Sequence, residues 1–191
     1  MKTKIYLLAF AGFLAFASCE KPDNLSDLVS DSSQSLNDSD LKKAGKGPMV
    51  LNFRTHLSGD QEVPPRDTDA TGQAIFQLSK DGTELHYKLI VANIENVTQA
   101  HIHVAPVGVN GGVVAWLYPP TPPATLIPGK SNGILQQGII TSASLVGSLA
   151  GQDLSDLIDS ILAGNTYVNV HTLQFTGGEI RGQIWGNIPE N

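Results

Sequence analysis

From residue 51 onward this chain alternates apolar and polar side chains with a period of two, and that rhythm decides what it can fold into. Leu51, Phe53, Thr55 and Leu57 alternate with Asn52, Arg54, His56 and Ser58. Ala74, Phe76 and Leu78 alternate with Gln73, Gln77 and Ser79, and Leu85, Tyr87, Leu89 and Val91 with Glu84, His86 and Lys88, until Ile90 interrupts. Successive side chains of a strand point to opposite faces, so each run reads as a strand with one side on a core. Asp81-Gly82 between the second and third runs is a hairpin signal. Further strands are expected at 99–104, 112–118, 134–140, 166–172 and 178–185, with a long surface loop over 119–133, where Pro119, Pro120, Pro122 and Pro123 remove ladder donors.

One segment departs from the β rhythm. Leu154, Leu157, Ile158, Ile161 and Leu162 follow helical spacing, with Asp153 or Ser155 at the start and Gly164 where a left-handed residue ends a helix. The expected fold is therefore all-β: an antiparallel sandwich or barrel of about eight strands, with one short helix near 153–163.

The residues before this region have a different character. Lys2 and Lys4 precede an apolar run from Ile5 to Ala17, which ends at Ser18-Cys19. A basic start, a short apolar stretch and small residues make a signal peptide. The run is shorter than the roughly 20 apolar residues that span a bilayer. Leu14-Ala15-Phe16-Ala17-Ser18-Cys19 resembles a bacterial lipoprotein signal, although Phe16 stands where Leu is common. That resemblance implies export, a lipid on Cys19 and membrane attachment on the periplasmic side or the cell surface. The alternative is an ordinary secretory signal that leaves Cys19 as a free thiol. The expected organisation is a signal at 1–18, lipidated Cys19 and a flexible tether over 19–48, a folded domain at 49–186 and a tail at 187–191. The tether assignment rests on its Ser, Asp, Asn and Lys content and its lack of aromatics.

Charge and cysteine usage exclude several classes of function. Removing 1–18 takes two lysines and no acid, leaving ten basic side chains against 18 acidic ones, a net charge of −8. An acidic chain without a basic cluster argues against nucleic acid as a partner. Cys19 is the only cysteine, so the domain has neither a disulfide nor a thiolate metal ligand.

Six motifs stand in order: Leu57-Ser58-Gly59-Asp60-Gln61-Glu62-Val63-Pro64-Pro65, Asp69-Ala70-Thr71-Gly72, Ala100-His101-Ile102-His103, Asn110-Gly111-Gly112-Val113-Val114, Tyr167-Val168-Asn169-Val170-His171-Thr172, and Gly178-Glu179-Ile180-Arg181 continuing into Gly182-Gln183-Ile184. Together they resemble a CHRD domain, the module repeated in chordin and found singly in bacterial secreted proteins, over roughly 50–186. Gly112, where the family often has Pro, and Arg66 after the paired prolines are small departures. The resemblance implies a compact β domain and little about activity; taken with the anchor and tether, it favours a binding or interaction module of the cell envelope for an unidentified envelope or extracellular ligand.

The chemistry concentrates on three strands. His101 and His103 flank Ile102, so alternation puts both imidazoles on one face, roughly 6–7 Å apart. By the same rule Tyr167, Asn169 and His171 share a face, as do Glu179, Arg181 and Gln183. If these faces converge, His101, His103 and His171 suit copper or zinc, with redox activity as a further option, and Asn169, Glu179 and Arg181 form the surrounding shell or polar network. Glu179 could orient an imidazole. The competing reading is a self-satisfied polar network, with Glu179 and Arg181 paired to each other or to Asp60 and Glu62; a third is a pocket for a peptide or glycan. His56 and His86 are expected in solvent, and Trp116, Tyr118 and Trp185 in apolar packing. No Ser-His-Asp order, nucleotide loop or cysteine metal motif is present, so no catalytic residue is assigned and a non-catalytic module is favoured over an enzyme.

Overall fold

The computed structural model describes residues 51–186; the expected signal peptide, lipidated Cys19, tether and C-terminal tail lie outside the described residues. The alternating runs form β1 (Asn52–Ser58) and β2 (Thr71–Leu78), paired antiparallel. Phe53, Leu57, Ala74 and Phe76 face inward and are fully buried, while Arg54, His56, Gln73 and Gln77 are exposed, as a period of two requires.

The third strand is longer than the sequence suggests. β3 runs unbroken from Leu85 to Val104, joining two segments expected to be separate. Its middle carries Asn93 and Asn96 at positive φ (56° and 55°), with breaks in register between Val91 and Ile94 and between Glu95 and Val97. Asparagine tolerates the left-handed region better than most residues, so the strand bends there without ending. Its first half pairs with β2 and with β5 (Ile127–Ile140); its second half pairs with β4 (Gly112–Tyr118) and β6 (Thr166–Thr172).

β7 (Ile180–Gln183) pairs with β6 and, at Ser58–Arg181, with β1. The pairings β1–β2, β2–β3, β3–β6, β6–β7 and β7–β1 close a five-stranded barrel, which settles the choice between sandwich and barrel. Its interior holds Phe53, Phe76, Leu89, Ile102, Val168, Val170 and Ile180, each at most 1% exposed. Gly182 is required at the β1–β7 seam, because a Cβ there would overlap the His56 carbonyl and the Thr55 hydroxyl.

Two expectations need correction. The loop drawn over 119–133 ends earlier, since β5 begins at Ile127. Among the described strands β5 pairs only with β3, and Pro128 is tolerated because an edge strand can leave an N–H position unpaired. The strand drawn over 178–185 is shorter: it splits into β7 and β8 (Trp185–Gly186), and Glu179 sits in the bend before β7.

The helix α1 spans Leu154–Leu162 with Asp153 at its N-cap, where the Asp153 N–H donates to Asp156 Oδ2 at 3.0 Å. Leu154, Leu157, Ile158 and Ile161 turn into the core, and Gly164 follows at φ 70°. Among the described residues no helix is long and apolar enough to cross a membrane.

Candidate functional site

His101 and His103 lie on the outer side of the barrel wall, with Ala100 and Ile102 on the inner side. The outer side is not a solvent face. His101, His103 and His171 are only 3%, 8% and 6% exposed, and Asn169 and Arg181 are equally covered. Register sets the arrangement. His101 pairs with Asn169 and Gln99 with His171, which puts His171 diagonal to His101; Asn169 in turn pairs with Arg181. Diagonal neighbours on one sheet face are within reach of ring side chains.

The three imidazoles form a triangle, with ring centroids 5.0 Å (His101–His171), 5.6 Å (His101–His103) and 6.3 Å (His103–His171) apart. One ligand atom from each lies within 4.8 Å of the others, and no Asp, Glu or Cys belongs to the group. His101 Nδ1 and His171 Nε2 are 3.2 Å apart. Two nitrogens that share an ion at about 2 Å from each sit about 3.3 Å apart, so this contact already has the span of a metal bite.

Backbone carbonyls hold two of the rings. His103 Nδ1–H donates to the Gly111 carbonyl and His171 Nδ1–H to the Thr176 carbonyl, both at 2.9 Å. A carbonyl only accepts, so each Nδ1 carries the proton and each Nε2 presents its lone pair. This is the outer-shell arrangement found around metal-bound histidines. Nε2 of His103 and Nε2 of His101 are both buried without a hydrogen-bond partner.

The loop supplying the Gly111 carbonyl is pinned in place. Tyr167 Oη accepts from the Gly111 N–H at 3.1 Å, and Gln183 Nε2 donates to the Ala105 carbonyl at 3.0 Å. A Cβ on Gly111 would overlap the Val104 carbonyl, so only glycine brings this loop close enough. Trp116 meets His101 edge-on at 4.3 Å.

Electrostatics keep the cluster neutral. Burial pushes His101 down to about 3, and the neighbouring His171 and His103 push in the same direction. Burial also lowers His103 and His171, although the carbonyls partly offset it. Arg181 lies over the Tyr167 ring with its guanidinium carbon 3.4 Å from the centroid, and Tyr167 stacks on His103 at 4.8 Å. Asn169 sits between His103 and Glu62.

The surrounding residues differ from expectation in detail. Glu179 does not orient an imidazole: its oxygens accept from Thr68 and Thr172, each at 2.7 Å. Arg181 is not ion-paired with Glu179; it donates to Asn110 Oδ1 and to the Val109 carbonyl. Of the acids proposed as partners, Glu62 is buried near Arg181 with one oxygen unpartnered, and Asp60 is exposed. The rings are held by the Gly111 and Thr176 carbonyls and Arg181 by Asn110 and Val109, contacts that side-chain patterning does not reveal. His56 and His86 are exposed, as expected, and His86 meets Glu84 at 3.0 Å. Trp185 is 54% exposed and is not core, whereas Tyr118 is partly buried against the core. A cavity of about 570 Å³ beside Thr68, Asp69, Glu95 and Lys130 and one of about 420 Å³ beside Glu62, Val63, Arg181 and Gln183 have no histidine in their linings.

Fold and site together define a small antiparallel β-barrel protein carrying a buried cluster of three histidines. The chain matches the CHRD domain over residues 53–184, and it belongs to that family. No curated protein and no solved structure matches it.

Proposed function

We propose that this is an exported, lipid-anchored CHRD-domain protein whose domain is a non-catalytic binding module, and that its ligand is a copper or zinc ion held by His101, His103 and His171. The carrying observation is the unpartnered buried Nε2 of His103 beside His101 Nδ1 and His171 Nε2 at the span of a metal bite, with the Nδ1 atoms of His103 and His171 tied to carbonyls. An imidazole nitrogen left unpaired in this way costs about 1–3 kcal/mol, which a bound ion would recover. Burial of all three rings argues against a peptide or glycan as the direct partner of the imidazoles.

Dialysis against copper or zinc followed by elemental analysis tests the ion. The reading expects one equivalent per chain, lost in a His101→Ala/His103→Ala variant; equal retention by both proteins sinks it. Anchoring rests on the Leu14–Cys19 pattern. A Cys19→Ala variant should leave the membrane fraction for the soluble one, and unchanged fractionation would remove the lipid from the account.

A further inference from the structure

The donor set and its surroundings point to one ion in particular. Three neutral imidazoles supply no negative charge, so a bound ion keeps its full charge in a site that is less than one-tenth exposed. Burying charge without compensation is costly, and the cost rises steeply from one unit to two. The nearest fixed charge makes this worse for a divalent ion: the Arg181 guanidinium rests on Tyr167, which stacks on His103. The buried carboxylates give little relief. Glu179 is engaged by Thr68 and Thr172, and Glu62 lies on the far side of Asn169.

Coordination number points the same way. Zinc on three histidines takes a fourth ligand, commonly water in an open site. Here Trp116, the Gly111 loop and the Thr176 loop close over the rings. Divalent copper favours tetragonal geometry, which three ligands on two neighbouring strands do not offer. Monovalent copper accepts imidazole and is satisfied by three ligands.

We infer that the cluster is a site for monovalent copper, held three-coordinate by His101, His103 and His171 and shielded from solvent. This rests on the metal-binding reading above, and the test separates the two. The full chain carrying Cys19→Ser, which removes the thiol as a competing copper ligand, is titrated anaerobically with Cu(I) buffered by a chromogenic chelator, and separately with Zn(II). The inference expects one Cu(I) per chain, held at least about 100-fold more tightly than zinc. X-ray absorption should show three nitrogen scatterers at about 2 Å and no sulfur, and Trp116 fluorescence should change on loading. Zinc binding as tightly as Cu(I), or four or more scatterers around copper, overturns the inference and leaves the metal site standing. Binding of neither ion, or undiminished binding in the His101→Ala/His103→Ala variant, overturns both. Because the competition is read on intact histidines, it does not depend on the variant folding.

Discussion

Acidification should destabilise the metal-free domain in a range where ordinary carboxylates are still ionised. The folded His101 titrates at about 3, against 6.5 for an unhindered histidine. Between those values the unfolded chain binds a proton that the folded chain refuses, so stability falls as pH falls. The slope is about 1.4 kcal/mol per pH unit for each such group. From pH 6.5 to about pH 5, His101 alone removes about 2 kcal/mol, out of a total of typically 5–15 kcal/mol. His103 and His171 are shifted the same way and deepen the loss, and the effect of His101 levels off near its folded value. Glu62 has the opposite sign: burial raises its pKa, so acidification relieves a penalty. Urea denaturation of chelator-treated protein at about pH 7.5 and pH 5 reads this out, with a midpoint lower by about 1 M at the lower pH. A His101→Gln variant should lose a large share of that dependence. Equal midpoints at the two pH values, or an undiminished drop in the variant, would refute the assignment of buried neutral imidazoles.

Other predictions concern the frame around the cluster. Ile102→Ala, which empties a fully buried position of the barrel, should cost about 2–5 kcal/mol by chemical denaturation. Gly111→Ala forces the loop away from Val104 and should weaken metal retention more than it lowers stability, as measured by dialysis beside denaturation. His56→Ala and His86→Ala, both on exposed faces, should leave metal binding intact and change stability by no more than about 0.5 kcal/mol. Asp153→Ala should cost about 1 kcal/mol through loss of the helix cap, seen as a small fall in the urea midpoint.

Much of this architecture was legible in the sequence because it follows from local periodicity. The inward faces of β1 and β2, the stripe on α1 and the shared side of His101 and His103 all come from counting by two or by 3.6. What escaped depends on contacts between distant residues. The bend at Asn93 and Asn96 reads as a loop because turn-forming residues interrupt the alternation, yet pairing with β5 on one side carries the strand through it. The prolines at 119–123 carry the loop reading too far, past Ile127 where β5 begins, because an edge strand accepts Pro128. In the sequence the His face is one of three polar faces that converge only if their strands are adjacent. Its burial depends on the loops at Gly111 and Thr176, whose carbonyls carry no side-chain signature. Glu179 looked like a ring-orienting group because it shares the alternation of Arg181; Thr68, more than a hundred residues away, takes one of its oxygens instead.

The most direct measurement is the nitrogen spectrum of the histidine rings, recorded by NMR on labelled protein before and after addition of one equivalent of metal. Before addition, His103 and His171 should appear as neutral rings protonated at Nδ1 with unprotonated Nε2 atoms, that of His171 accepting from His101 Nδ1–H. Afterwards those two Nε2 signals and one ring nitrogen of His101 should shift or broaden together, while His56 and His86 stay unchanged. Protonated rings before addition, or changes confined to His56 and His86, would contradict the account.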